Sequence, residues 1–156
     1  MKKRCARCRS TDLQEATFGY VRQIDGTTFK ADVEASRCGA CGELLISGPG
    51  LLAAERALTA RLARSTVGPQ GFRWLRRAAG LQAVQLAALL DVSPGTVSRW
   101  ENGKKPLERR AVALVAALAL EAAGEAANTR ELLGQLASGR KPPRRVHLGP
   151  QPATGS

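Results

Sequence analysis

Two cysteine pairs constrain this chain more than any other feature. Cys5-Ala-Arg-Cys8 and Cys38-Gly-Ala-Cys41-Gly42 each carry two thiols with two residues between them. That spacing lets one tight turn aim both sulfurs at a single ion, and two such turns complete a tetrahedron. A set of four thiolates has no open position, so the metal expected at Cys5, Cys8, Cys38 and Cys41 is one structural Zn²⁺ per chain. Gly39 and Gly42 ease the second turn, where backbone amides can point at the sulfurs. A redox role would need a C-x-x-C in a thioredoxin-like βαβ setting, which the sequence lacks.

Between the pairs runs "EATFGYVRQIDGTTFKADVEASR", in which β-branched and aromatic residues flank Asp25-Gly26. Asp-Gly favours the left-handed conformations of a two-residue hairpin turn, so two strands joined there bring the cysteine pairs together. Residues 1–47 are read as a zinc-binding ribbon domain. "SGPG" at Ser47–Gly50 breaks the chain, and "LLAAERALTARLAR" follows as a helix with Leu51, Ala54, Leu58 and Leu62 on one face. With "STVGPQG" behind it, residues 48–70 are a connecting helix and hinge. Only 4% of residues are aromatic, so the remaining core must be Leu, Ala and Val, which suits compact helices.

Residues 71–138 read as helical nearly throughout, with Gly80, Gly103, Gly124 and Gly139 where helices end. Within them, "DVSPGTVSRWENGKKP" has Ser93 as an N-cap, Pro94 in the first helical position and Gly103 as the stop. Val97 and Trp100, three apart, face the core, while Thr96, Ser98, Arg99 and Asn102 remain more exposed. A helix, a short turn and a second helix showing polar groups outward is the arrangement that enters a DNA major groove. The fold class expected is therefore two small domains: an N-terminal zinc-bound β-hairpin ribbon and a C-terminal all-α bundle.

"GLQAVQLAALLDVSPGTVSRWENGKKP" resembles the Xre/Cro-type helix-turn-helix, whose members end this element with an aromatic residue or Ile and then Glu-Asn-Gly. With the ribbon and connecting helix ahead of it, residues 5–123 resemble, by motif order, the MqsA (YgiT-type) antitoxin family. The resemblance implies a zinc domain that grips a ribonuclease toxin, and a helix-turn-helix domain that dimerises and represses its own promoter by binding a palindromic operator. Carried over by position, Thr96, Ser98 and Arg99 fall on the recognition helix; Gln82, Gln85, Ser93, Gly95, Asn102, Lys104 and Lys105 complete the expected DNA-contact set, with a solvated loop as the alternative for the two lysines. Arg99 matches an arginine that the family uses to read bases, and arginine can bond a guanine edge in two places. The chain departs from the pattern at Ala83, where relatives carry Gln, at Asp91, where Gly is common, and at Pro94-Gly95, where base-reading side chains are common. Direct readout is thus expected to rest on Thr96 and Arg99.

The chain of 156 residues carries 24 basic and 13 acidic residues, net +11, and 11 − 4 + 2 = +9 with zinc on four thiolates. A phosphate-rich partner fits that charge. Arg76 and Arg77 lie on the helix that crosses the DNA backbone in this fold. "LERRAVALVAALALEAA" is apolar nearly all round, and Leu107, Leu114 and Leu118 are the candidate homodimer residues, with burial inside the monomer as the alternative. Residues 139–156, rich in Pro, Gly and Arg, read as a disordered basic tail. The N-terminus lacks the apolar run of a secretory signal, and the longest apolar run is too short for a bilayer, so a cytoplasmic, non-membrane protein is expected. No nucleophile–base or paired-carboxylate set appears, and no enzyme is expected. Two alternatives stay open: a stand-alone zinc-ribbon/helix-turn-helix regulator without a toxin, and an adaptor whose ribbon meets RNA or polymerase.

Overall fold

The Asp25-Gly26 dipeptide makes the turn that its sequence predicts. Both residues have positive φ, 50° and 79°, the pairing a two-residue turn needs to match the twist of its strands. Strands β1 (Leu13–Ile24) and β2 (Thr27–Cys38) leave it in antiparallel register, from Ile24 opposite Thr27 to Leu13 opposite Cys38. The computed structural model describes residues 2–149. Alternation sorts β2 cleanly: Thr27, Phe29, Ala31, Val33 and Ala35 are buried on one face, while Lys30, Asp32 and Glu34 are exposed on the other. A short β3 (Leu44–Ile46) pairs antiparallel with the Cys38 end of β2.

Helix α1 (Gly48–Ala63) starts at Ser47, whose hydroxyl accepts the Gly50 N–H. Its buried residues Ala54, Leu58 and Leu62 lie on the face read from the sequence, and they join the inner face of the sheet in one apolar core. Gly50 lets helix and sheet approach closely there, since a Cβ at that position would sit 3.1 Å from Val33 Cγ1. Five further helices follow: α2 (Pro69–Ala78), α3 (Ala83–Leu90), α4 (Pro94–Glu101), α5 (Arg109–Ala122) and α6 (Thr129–Ser138). The four glycines expected at helix ends all take positive φ: Gly80, Gly103, Gly124 and Gly139. The core continues from the sheet through α1 into Phe72, Leu75, Leu86, Val97, Trp100, Val115 and Leu120 without a break.

The segment read as a hinge is a docked joint. Asp25, at the tip of the hairpin, turns its carboxylate onto the start of α2 and accepts N–H bonds from Gly68 at 2.8 Å, Gln70 at 3.0 Å and Gly71 at 2.8 Å. The Asp25 N–H donates in return to Gln70 Oε1 at 2.8 Å. Helix α2 has no side-chain cap of its own at Gly68, so an acid from the sheet satisfies the free amides and faces the positive end of the helix dipole. Gly68 and Gly71 admit the carboxylate, since a Cβ at either would lie 2.7 Å from it.

The tail differs from its sequence reading as well. Arg145–His147 form β4, parallel to β2 at Thr28–Lys30, on the edge that β3 occupies at the other end. The reason is alternation: Val146 and Leu148 turn inward and are buried, while Arg145 and His147 stay out. Low apolar content suffices where an existing strand edge supplies the hydrogen bonds, as Leu148 N–H to Lys30 O and Thr28 N–H to Arg144 O do. The tail residues 150–156 lie outside the described residues.

Candidate nucleic-acid interface and metal centre

The two knuckles bring all four thiols to one point. Cys5 Sγ lies 3.6 Å from Cys41 Sγ, Cys8 Sγ lies 3.6 Å from Cys38 Sγ, and all four sulfurs fall within 4.8 Å of one another. Thiolates about 2.3 Å from a tetrahedral zinc would stand about 3.8 Å apart, so the cluster is close to the size a four-thiolate site requires. Each knuckle closes on itself, Arg9 N–H to Cys5 O at 2.9 Å and Gly42 N–H to Cys38 O at 2.8 Å. Both closing residues are left-handed, Arg9 at φ 63° and Gly42 at 73°. The amides of Gly39 and Gly42 go to carbonyls, not to sulfur. The electrostatics of the four thiols are uneven. Burial pushes the Cys38 thiol up, but the Cys41 and Ala40 amides and the neighbouring Cys8 and Cys41 thiols outweigh it and bring it down to about 7. The Glu43 amide pulls Cys41 down, yet burial and the three other sulfurs push it up to about 12. Four thiolates cannot share this space without a cation to offset their repulsion.

At the other end of the molecule, α3 and α4 are built as separate capped units. Gln82 and Gln85 form a reciprocal capping box at the start of α3, with Gln85 Oε1 accepting the Gln82 N–H at 2.8 Å. Asp91 ends α3 at φ 54°, the left-handed position that its place in the turn demands. Ser93 caps α4 by accepting the Thr96 N–H at 3.2 Å, and Pro94 opens the helix. Val97 and Trp100 are buried, and Trp100 meets Phe72 edge to face with ring centroids 5.8 Å apart.

Gly95, Ser98, Arg99 and Asn102 are exposed and share a stripe at i, i+3, i+4 and i+7. Gln82, Gln85, Ser93, Lys104 and Lys105 are exposed too. Lys105 is partly engaged, its ammonium lying 5.9 Å from the centre of the Trp100 ring. Thr96 departs from its expected place. It is only 8% exposed and belongs to the inner side of α4, next to Val97.

Two residues of this region carry a role that composition hides. Arg76, read with Arg77 as lying on the helix that crosses the DNA backbone, is buried and bonds both oxygens of the buried Glu101 carboxylate, while Arg77 is exposed. Arg73 adds bonds to Glu101 Oε2 and Asn102 Oδ1, each at 3.1 Å. The end of α4 is thereby clamped to α2, which fixes the angle at which the exposed stripe is presented. The signal was present in the Glu101-Asn102-Gly103 run, whose acid sits one residue past the buried Trp100.

Helix α5 is buried at Ala111–Ala113, Val115–Ala117, Ala119 and Leu120, so most of its apolar surface serves the monomer core. Leu114 keeps 41% of its surface exposed, and Leu107 and Leu118 are half-buried.

A capped pair of short helices whose second member shows a polar stripe has the arrangement of a helix-turn-helix. Residues 72–124 match the family model described as Helix-turn-helix, and this part of the chain is a domain of that Xre-type class, a DNA-binding regulatory module. No curated protein and no solved structure matches the chain. No helix among the described residues is long and apolar enough to cross a membrane.

Proposed function

We propose that the chain is a sequence-specific transcriptional repressor that reads an operator with α4 and holds a structural zinc ion at Cys5, Cys8, Cys38 and Cys41. The observation that carries the reading is the stripe Gly95, Ser98, Arg99 and Asn102 inside the stretch matched to the helix-turn-helix family. Arg99 bonds a base edge, Gln82, Gln85, Lys104 and Lys105 meet phosphates, and the Leu107, Leu114 and Leu118 line pairs two copies over a palindrome. Selection of random duplexes by the metal-loaded full chain tests this: an enriched inverted repeat is expected. Enrichment of a single unrepeated site would remove the dimer, and no enrichment would remove the repressor.

The finer proposal is an antitoxin whose ribbon grips a ribonuclease toxin, supported by the order ribbon, connecting helix and helix-turn-helix. An adjacent reading frame encoding a small basic ribonuclease, whose product binds this chain, is the expected finding; an unrelated neighbour would remove it. A second reading, a regulator without a toxin, is favoured by the ribbon's attachment to α2 through Asp25, which leaves it less free to close around a separate partner.

A further inference from the structure

Thr96 and Arg99 stand three apart on α4, and their side chains are joined. Arg99 Nη2 donates to Thr96 Oγ1 at 3.4 Å. Thr96 Oγ1 lies 3.0 Å from Ser93 Oγ, which also accepts the Thr96 N–H. A chain of three polar groups therefore runs from the helix cap to the guanidinium. Gly95 completes it. An ideal Cβ there would stand 3.8 Å from Arg99 Nη1 and 3.9 Å from Nη2, so the guanidinium lies across the first turn of the helix, with only glycine beneath it. Thr96 itself is 8% exposed, and its hydroxyl is occupied on the protein side.

We propose that Thr96 is a positioning residue for base readout: it does not touch DNA but fixes the Arg99 guanidinium so that the remaining N–H fork points outward. The inference rests on α4 being the reading helix. An arginine side chain has many rotamers, and holding it before binding removes part of the ordering cost and fixes the plane in which it can pair. The ligand chemistry follows: a guanine edge, whose O6 and N7 accept the two parallel bonds that a fork offers. Gly95 leaves room for the base pair to approach the helix backbone.

The test uses the metal-loaded full chain and a pool of random duplexes, with the enriched sequences read for wild type and variants. Arg99→Ala is expected to flatten the preference at one guanine position. Thr96→Val, which keeps the buried shape and removes the hydroxyl, is expected to flatten the same position about three- to tenfold, the size of one hydrogen bond, and no other. Thr96→Ser should retain the preference, and Thr96→Val combined with Arg99→Ala should match Arg99→Ala alone. Should Thr96→Val not fold, Ser93→Gly removes the supporting hydroxyl while glycine is tolerated as a cap, and the same position is expected to weaken. A Thr96→Val or Ser93→Gly profile equal to wild type would overturn the proposal. So would loss at a position that Arg99→Ala leaves intact, which would make Thr96 a base reader. A wild-type pool without enrichment would overturn the DNA reading beneath it.

Discussion

Replacing Asp25 tests how the sheet and the helical half are joined. Its carboxylate accepts three backbone N–H bonds from the start of α2, at 2.8, 3.0 and 2.8 Å. Losing a capping side chain costs about 0.5–2 kcal/mol, and losing a negative charge at a helix N-terminus costs about 0.3–1 kcal/mol. Removing the group altogether should therefore cost about 2 kcal/mol. The conformation adds a second term, because Asp25 sits at φ 50°, where an alanine bears about 1–2 kcal/mol of strain and glycine none. The expected order is Asp25→Asn, losing about 1 kcal/mol, then Asp25→Gly at about 2, then Asp25→Ala at about 3. Both tryptophans, Trp74 and Trp100, lie in the helical half, so their fluorescence in urea follows the unfolding of that half. With a urea slope of about 1–3 kcal/mol/M, Asp25→Gly should lower the midpoint by roughly 1 M. A midpoint within roughly 0.2 M of wild type for both Asp25→Gly and Asp25→Ala would show that the hairpin tip does not stabilise α2.

Chelation of the metal-loaded chain should unfold the ribbon and, through the same joint, lower the tryptophan-monitored midpoint; an unchanged strand signal in circular dichroism would remove the structural role of the cysteine cluster. Metal analysis should find one ion per chain. Arg9→Gly should leave the loaded protein as stable as wild type or up to about 1 kcal/mol more so, because Arg9 takes in the first knuckle the left-handed place that Gly42 takes in the second; a loss of similar size in urea would contradict that. Glu101→Gln should cost about 3–5 kcal/mol by stranding the buried Arg76 guanidinium, and urea unfolding within about 1 kcal/mol of wild type would mean the clamp does not hold α4.

Local chemistry made several elements legible in the sequence. Asp25-Gly26 favours its turn, Ser93-Pro94 a helix start, and paired cysteines a cluster, each through residues a few positions apart. What could not be read depends on partners distant in the chain. Arg76 and Arg77 are indistinguishable as letters, and only the rotation of α2 against Glu101 sends one inward. Thr96 sits among polar neighbours and reads as one of them, yet its place beside Val97 and above Ser93 buries it. Arg145–His147 form a strand only because β2 offers an open edge at Thr28–Lys30, and nothing near Arg145 announces that. Asp25 was legible as a turn residue and not as the cap of a helix more than forty residues away, since its carboxylate was free to face anything.

In the proposed function, α4 distinguishes one DNA sequence from others. The most direct measurement is the affinity of the metal-loaded full chain for a duplex enriched from a random pool against a scrambled duplex of the same composition, followed by fluorescence anisotropy at one fixed salt concentration. Base readout by Arg99 and its neighbours predicts binding to the enriched duplex at least about a thousandfold tighter. Equal affinity for the two duplexes, falling in parallel as salt is raised, would mean that the basic surface holds phosphate and that α4 reads nothing.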